Sequence, residues 1–214
     1  MRKVAVIGAG GINSWFIKHL KDVVDLFDKT ELIFVKVFDK DEVEEKNLLR
    51  ENQNFLVEDL MKQKAEVLGK RYGFDYENIF ITEENVDLLK NFDDIIVGVD
   101  NHKTRQLLYK FALENSKYLL DLRAQGTQIS FVVVGREKTE NQKTMEYYDN
   151  KYFSNPAVME LKGSCQLTAD VENDNIQTGN KVIAFMGTWG IYLNHLRDQT
   201  VSTSDWRFVY WKNK

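Results

Sequence analysis

The chain has 214 residues, 43% of them hydrophobic and 12% aromatic, with 29 Lys and Arg against 33 Asp and Glu for a formal net charge of -4. These values exclude a disordered chain and give no support to an electrostatic nucleic-acid or membrane binder, while the lone cysteine excludes an internal disulfide and a multi-cysteine zinc site. No apolar stretch is long enough to span a bilayer, and Met1-Arg2-Lys3 leads straight into a strand-like run with no signal peptide, so a soluble, cytoplasmic, single-domain protein is expected.

In chain order, Val4 to Ile7 is an unalternating apolar run, the pattern of a strand covered on both faces, and it stops at Gly8-Ala9-Gly10-Gly11. Ile12, Phe16, Ile17 and Leu20 follow at helical spacing. Leu32 to Phe38 reads as a second strand ending at Asp39, and Asp39 to Phe55 as a polar connection. Leu56 to Tyr72 reads as helix, Ile79 to Thr82 as a short strand, and Val86 to Asn91 as a short helix. Ile95 to Val99 is a strand running into Asp100-Asn101. Leu107, Leu108, Phe111 and Ala112 mark a helix, and Tyr118 to Leu122 a strand. Ile129 to Val134 follows too closely for a crossover helix, which predicts an antiparallel partner. Arg136 to Ser164 is a polar, aromatic segment expected to be mobile; Val182 to Leu196 reads as helix and Trp206 to Tyr210 as a last strand. Together these predict an α/β fold, a Rossmann-like three-layer mixed sheet, parallel in its N-terminal part with antiparallel C-terminal strands.

In such sheets ligands sit beyond the carboxyl ends of the strands. The first strand delivers a glycine turn and a helix N-terminus, which suit phosphate, although Asn13 stands where a dinucleotide fingerprint has its third glycine. Asn there can adopt the left-handed conformation or cap the helix. The second strand delivers Asp39, the usual place for a ribose partner. Asn47, Arg50 and Lys64 then add donors and cations that a nicotinamide enzyme has no use for and a nucleoside triphosphate does, and Asp100 stands at a later strand tip, where an acid can hold magnesium.

Gly8-Ala9-Gly10-Gly11, Asp39, Asn47-Leu48-Leu49-Arg50, Lys64-Ala65 and Asp100-Asn101-His102-Lys103-Thr104-Arg105 occur in that order, and over residues 3 to 135 the set resembles the ThiF/MoeB/ubiquitin-activating-enzyme (E1-like) adenylyltransferase family. The resemblance implies that Gly8, Gly10 and Gly11 face the phosphates of ATP, that Asp39 meets the ribose, and that Asn47, Arg50 and Lys64 contact the triphosphate. It implies that Asp100 binds magnesium and that Asn101 shapes the pocket. One domain spans residues 1–214, with a nucleotide-binding part at 1–135 and the mobile segment and C-terminal helix and strand at 136–214. The implied reaction is attack of a carboxylate on the α-phosphate of ATP. The carboxylate would belong to a ubiquitin-like (β-grasp) or sulfur-carrier-like protein ending in glycine, and the enzyme would be a homodimer. Three departures stand out: Glu51 replaces the family's Gln, its N-terminal helix is missing, and its paired zinc cysteines are absent, so no structural zinc is expected.

Cys165, in Gly163-Ser164-Cys165-Gln166, is either the acceptor of the activated acyl group or a small structural cysteine. His19 and His195 read as helix-surface residues. His102 adjoins the magnesium aspartate and could be catalytic, and Arg123 is either a substrate contact or a structural ion pair. The acids from Asp41 to Glu45 read as a solvated loop, and Trp206, Phe208 and Tyr210 as core packing or a groove for a docked tail. Alternatives are a catalytically impaired ThiF-like partner or scaffold subunit, an NAD-dependent oxidoreductase, and a tRNA-base dehydratase, the last with no support from the acidic charge.

Overall fold

Val4, Ala5, Val6 and Ile7 are all buried, and because side chains alternate across a strand they serve two different cores. Val4 and Val6 join one apolar cluster with Phe16, Ile17, Leu20 and Ile183, whereas Ala5 and Ile7 join another with Leu108, Tyr109, Phe111 and Ala112. A sheet with a helical layer on each face follows directly. The computed structural model describes residues 1–27, 32–48, 52–125, 128–135, 175–198 and 208–209.

The elements are β1 (Arg2–Ile7), α1 (Gly11–Phe27), β2 (Ile33–Phe38), the single-turn α2 (Glu45–Leu48), α3 (Lys64–Tyr72), β3 (Asp75–Glu77), β4 (Asp94–Val97), α4 (His102–Glu114), β5 (Tyr118–Gln125), β6 (Gln128–Val134), α5 (Asn175–Phe185), α6 (Leu193–Leu196) and β7 (Phe208–Val209). Short 3₁₀ turns occupy Val57–Asp59 and Val86–Asn91, and a π-helical stretch, Met186–Tyr192, joins α5 to α6. The seven strands lie in the order β3-β2-β1-β4-β5-β6-β7. β1 to β5 are parallel neighbours, and β6 is antiparallel to β5 and to β7, so the α/β, Rossmann-like mixed sheet expected from the sequence is the fold found.

Three local expectations are corrected. Leu56 to Tyr72 is not one helix: Met61 takes a left-handed φ of 63°, and backbone bonds from Val43 N to Lys62 O and from Met61 N to Val43 O pin the segment beside the loop after β2. The helix therefore starts only at Lys64, whose N–H donates to Asp41 O at 2.8 Å. The third strand is Asp75–Glu77 rather than Ile79 to Thr82. Gly73, at φ 72°, ends α3 so abruptly that the chain pairs with Lys36 to Phe38 at once, and the buried Ile81 packs beneath the sheet instead. His195 is no helix-surface residue, because its ring stacks on Tyr118 with centroids 3.5 Å apart and its Nε2 lies 3.1 Å from Asp94 Oδ1. Arg136 to Ser164, Cys165, and Trp206 and Tyr210 lie outside the described residues. Among the described residues no helix is long and apolar enough to cross a membrane.

Candidate functional site

A cleft of about 760 Å³ opens at the carboxyl ends of the parallel strands, lined by residues from the tips of β1, β2, β4 and β5 and from the loops that follow them. The turn after β1 forms its centre. Gly8 is left-handed at φ 85°, a conformation that favours glycine, and the turn ends at the N-terminus of α1. Gly10 would meet nothing within 4 Å if it carried a Cβ, so open space lies beside the free N–H groups of the helix start.

Asn13 neither caps α1 nor adopts a left-handed conformation. Its Nδ2 donates to Ile7 O at 3.0 Å and Gly8 O at 2.9 Å, which staples the first turn of the helix to the strand below. The room that a third glycine would give comes from the neighbouring strand tip: a Cβ on Gly98 would lie 2.4 Å from Asn13 Cγ.

Asp39 is buried at the end of β2, with Oδ2 accepting from Ala9 N at 2.6 Å and Oδ1 from Asp41 N at 2.7 Å. Burial raises its pKa, and those two backbone donors oppose the rise. The carboxylate thus ties the β2 tip to the glycine turn while lining the cleft. Asn47 Oδ1 caps the preceding turn by accepting from Glu44 N at 2.8 Å. Lys64, the first residue of α3, is 7% exposed and holds its ammonium 3.4 Å from Asp41 Oδ2. The acids Glu42, Glu44 and Glu45 are exposed as expected of a solvated loop, whereas Val43 between them is buried.

Beyond β4, Asp100 is exposed and Asn101 caps α4, its Oδ1 accepting from Thr104 N at 2.8 Å. One turn later Arg105 reaches back beneath the cleft to Asp121 Oδ1 at 3.3 Å. Arg123 and Tyr109 also bond Asp121, at 2.7 and 2.6 Å, so Arg123 is an ion-pair residue rather than a cleft residue. Burial alone would raise the Asp121 pKa; the two guanidiniums and the Tyr109 hydroxyl hold it below the ordinary value. Burial, aided by Arg105, depresses the pKa of His102, which does not line the cleft.

Gly8, Gly10, Gly11, Asp39, Asn47, Lys64, Asp100 and Asn101, all singled out from the sequence, line this one cleft; Arg50, Glu51 and Cys165 lie outside the described residues. Sequence reasoning passed over Asn52, Gln53, Thr104 and Asn180 as lining residues. The run Asn52-Gln53-Asn54 was the available signal. Among the described residues no group of three or more His, Cys, Asp or Glu side chains is placed to hold a metal ion. Asp100 makes no hydrogen bond or ion pair with another described residue, and one such carboxylate together with phosphate oxygens is a donor set that suits magnesium.

The fold is shared with solved structures. E. coli MccB with AMPCPP and selenomethionine MccA superposes with a TM-score of 0.63 at 15% identity, over 92% of this chain and 56% of that one. The PaaA structure gives 0.61 at 15%, over 92% and 64%, and E. coli MccB with ATP gives 0.61 at 16%, over 92% and 56%. This chain thus spans between half and two thirds of the length of these relatives. No curated protein matches it in sequence. The ThiF family pattern matches residues 1–189, most of the chain, and the protein belongs to the ThiF family.

Proposed function

We propose that residues 1–214 form one adenylation domain that transfers AMP from ATP to a terminal carboxylate. The observation that carries this reading is the convergence of eight residues from five separate segments on one cleft, together with membership of the ThiF family. The MccB structures contain ATP in one case and AMPCPP in another, which supports a nucleoside triphosphate as the ligand. A carboxylate oxygen attacks the α-phosphorus, and the bond to the bridging oxygen breaks with its electron pair leaving on pyrophosphate. Nothing in the step needs an acid or base, so the protein's part is to position and to neutralise charge.

In this reading the N–H groups around Gly8, Gly10 and Gly11 and the start of α1 hold phosphate oxygens. Asp39 accepts from the ribose, and Asn47, Arg50 and Lys64 contact the triphosphate. Lys64 must exchange Asp41 for a phosphate oxygen, which the 3.4 Å separation makes easy. Asp100 would hold magnesium, which supplies further neutralisation of phosphate charge, and Asn101 keeps the start of α4 in place. The acyl substrate is the C-terminal carboxylate of a ubiquitin-like or sulfur-carrier-like protein; the Cys165 thiolate then attacks the acyl carbon, forming a thioester as the bond to AMP breaks and AMP leaves, and the enzyme works as a homodimer.

The test is a calorimetric titration with ATP and magnesium, with NAD in parallel and Asp39→Ala as control. Binding of ATP alone, lost in the variant, is expected, followed by pyrophosphate exchange with C-terminal peptides. Failure to bind either nucleotide would give first place to a scaffold or partner subunit. If Cys165→Ser makes adenylate and still forms a thiol-sensitive adduct, Cys165 drops out of the mechanism.

A further inference from the structure

Asn52, Gln53 and Asn180 form one wall of the cleft, and each carries a primary amide. Asn52 and Gln53 come from the loop after α2, Asn180 from α5 on the far side of the glycine turn. Asn180 Nδ2 donates to Asn52 Oδ1 at 3.0 Å, and it packs so closely on the turn that a Cβ on Gly11 would lie 2.5 Å from that nitrogen.

The loop's backbone is committed to the body of the protein. Trp15 Nε1 donates to Asn52 O at 3.2 Å, Gln53 N donates to Asn47 O at 3.3 Å, and Asn54 N donates to Ser14 Oγ at 3.0 Å. The Lys181 ammonium sits 4.6 Å from the centroid of the Trp15 ring, so one indole fixes both sides of the amide clasp. A backbone held in this way leaves the side-chain amides as the groups the wall offers to a ligand.

Gln53 is 8% exposed, and its Oε1 is buried without a hydrogen-bond partner among the described residues. A buried amide oxygen left unpaired is unfavourable and points to a missing donor. Phosphate oxygens cannot supply one. A peptide group can, since it carries one N–H and one C=O to set against a wall of amide acceptors and donors.

We propose that Asn52, Gln53 and Asn180 bind the last peptide group of the acyl substrate. Gln53 Oε1 accepts from its N–H, and the asparagine NH₂ groups donate to its C=O. These three side chains carry no charge, so they orient the acyl chain without pairing to the carboxylate that must attack. This subsite rests on the adenylation reading and adds to it the residues that recognise a peptide rather than a free acid.

Two probes test it by calorimetry: 5′-O-sulfamoyladenosine and its N-glycylglycyl derivative, which adds one peptide group beyond the acyl carbon. The ratio of their affinities cancels any change the two share at the nucleotide end. In the wild-type protein the derivative is expected to bind at least about tenfold tighter, and in Gln53→Met and Asn180→Leu the ratio is expected to fall to about one. The substitutions lie on separate elements, so a folding defect in one leaves the other to decide. A ratio unchanged in the variants overturns the proposal. So does a wild-type ratio near one with sulfamoyladenosine still bound, which leaves the adenylation reading standing. Absence of binding by both probes overturns the two together.

Discussion

At the amino end of the parallel sheet, the fully buried Asp94 is enclosed by Arg2 at 3.2 Å, the Tyr192 hydroxyl at 2.8 Å and His195 at 3.1 Å. At the carboxyl end of the same strands, Asp100 is exposed with no described partner, Lys64 shares Asp41 at 3.4 Å, and Gln53 keeps an unpaired oxygen. Both ends hold acids and basic groups. The amino end closes them on one another and thereby fixes α6 and the π-helical stretch to the sheet. The carboxyl end leaves part of their hydrogen-bonding capacity unused beside the cleft. An acid that is buried and saturated is part of the framework, and one that is open at a strand tip is available to a ligand.

The largest expected effect breaks the closed end. Asp94→Ala leaves Arg2 and His195 facing an empty site and should cost about 3–5 kcal/mol in urea unfolding, as for removal of one partner from a buried pair. Asp100→Asn at the open end should change stability by less than about 0.5 kcal/mol and abolish magnesium-dependent adenylate formation. A large stability loss in Asp100→Asn, or none in Asp94→Ala, would erase the distinction between the two ends.

Next in size is Lys64→Ala. It removes a charge-assisted contact and should weaken ATP binding by about 1.5–3 kcal/mol. Unchanged affinity by calorimetry would show that Lys64 belongs with Asp41 as framework.

Met61→Gly concerns the turn that delivers Lys64. The side chain is 82% exposed at a φ of 63°, so glycine relieves a left-handed strain. After allowance for the freer unfolded chain, a gain of about 0.5 kcal/mol is expected in the urea midpoint. A loss would mean that the left-handed conformation of Met61 carries no strain for glycine to relieve.

The smallest effect is one of pH. His19, between the two ends on α1, packs edge-on against Phe185, and burial, aided by Lys18, depresses its pKa. The unfolded chain then takes up the proton more readily. Its share of stability is therefore present above the ordinary histidine value of about 6.5 and is lost as pH falls through the depressed folded value. His19→Gln should flatten the fall in stability between about pH 7.5 and about pH 5. If the fall is as steep as in the wild type, the pH dependence belongs to other groups.

Much of the architecture was legible because it rests on local physics. The unalternating Val4–Ile7 run, the glycine turn and the short gap before Ile129 specified a buried parallel strand, a tight turn into a helix and an antiparallel addition. The ordered set from Gly8 to Arg105 identified the family. Helicity from Leu56 and a strand at Ile79 were misread because apolar residues there pack without joining the regular element that their spacing suggests. A backbone bridge to Val43 stops the helix, and Gly73 starts the strand early.

What the sequence by itself determined is the class of the chain and the residue types at each strand tip, since both follow from periodicity and from where turns must fall. Only the tertiary structure decided which polar groups are saturated and which are open. Asp94 and Asp100 look alike as acids bordering one strand, but the first meets Arg2, Tyr192 and His195 from distant parts of the chain and the second meets no described residue. The same holds for Asn180, which folding brings across 128 positions to Asn52. Hydrogen-bond saturation depends on contacts between residues far apart in the chain, and no local pattern encodes it.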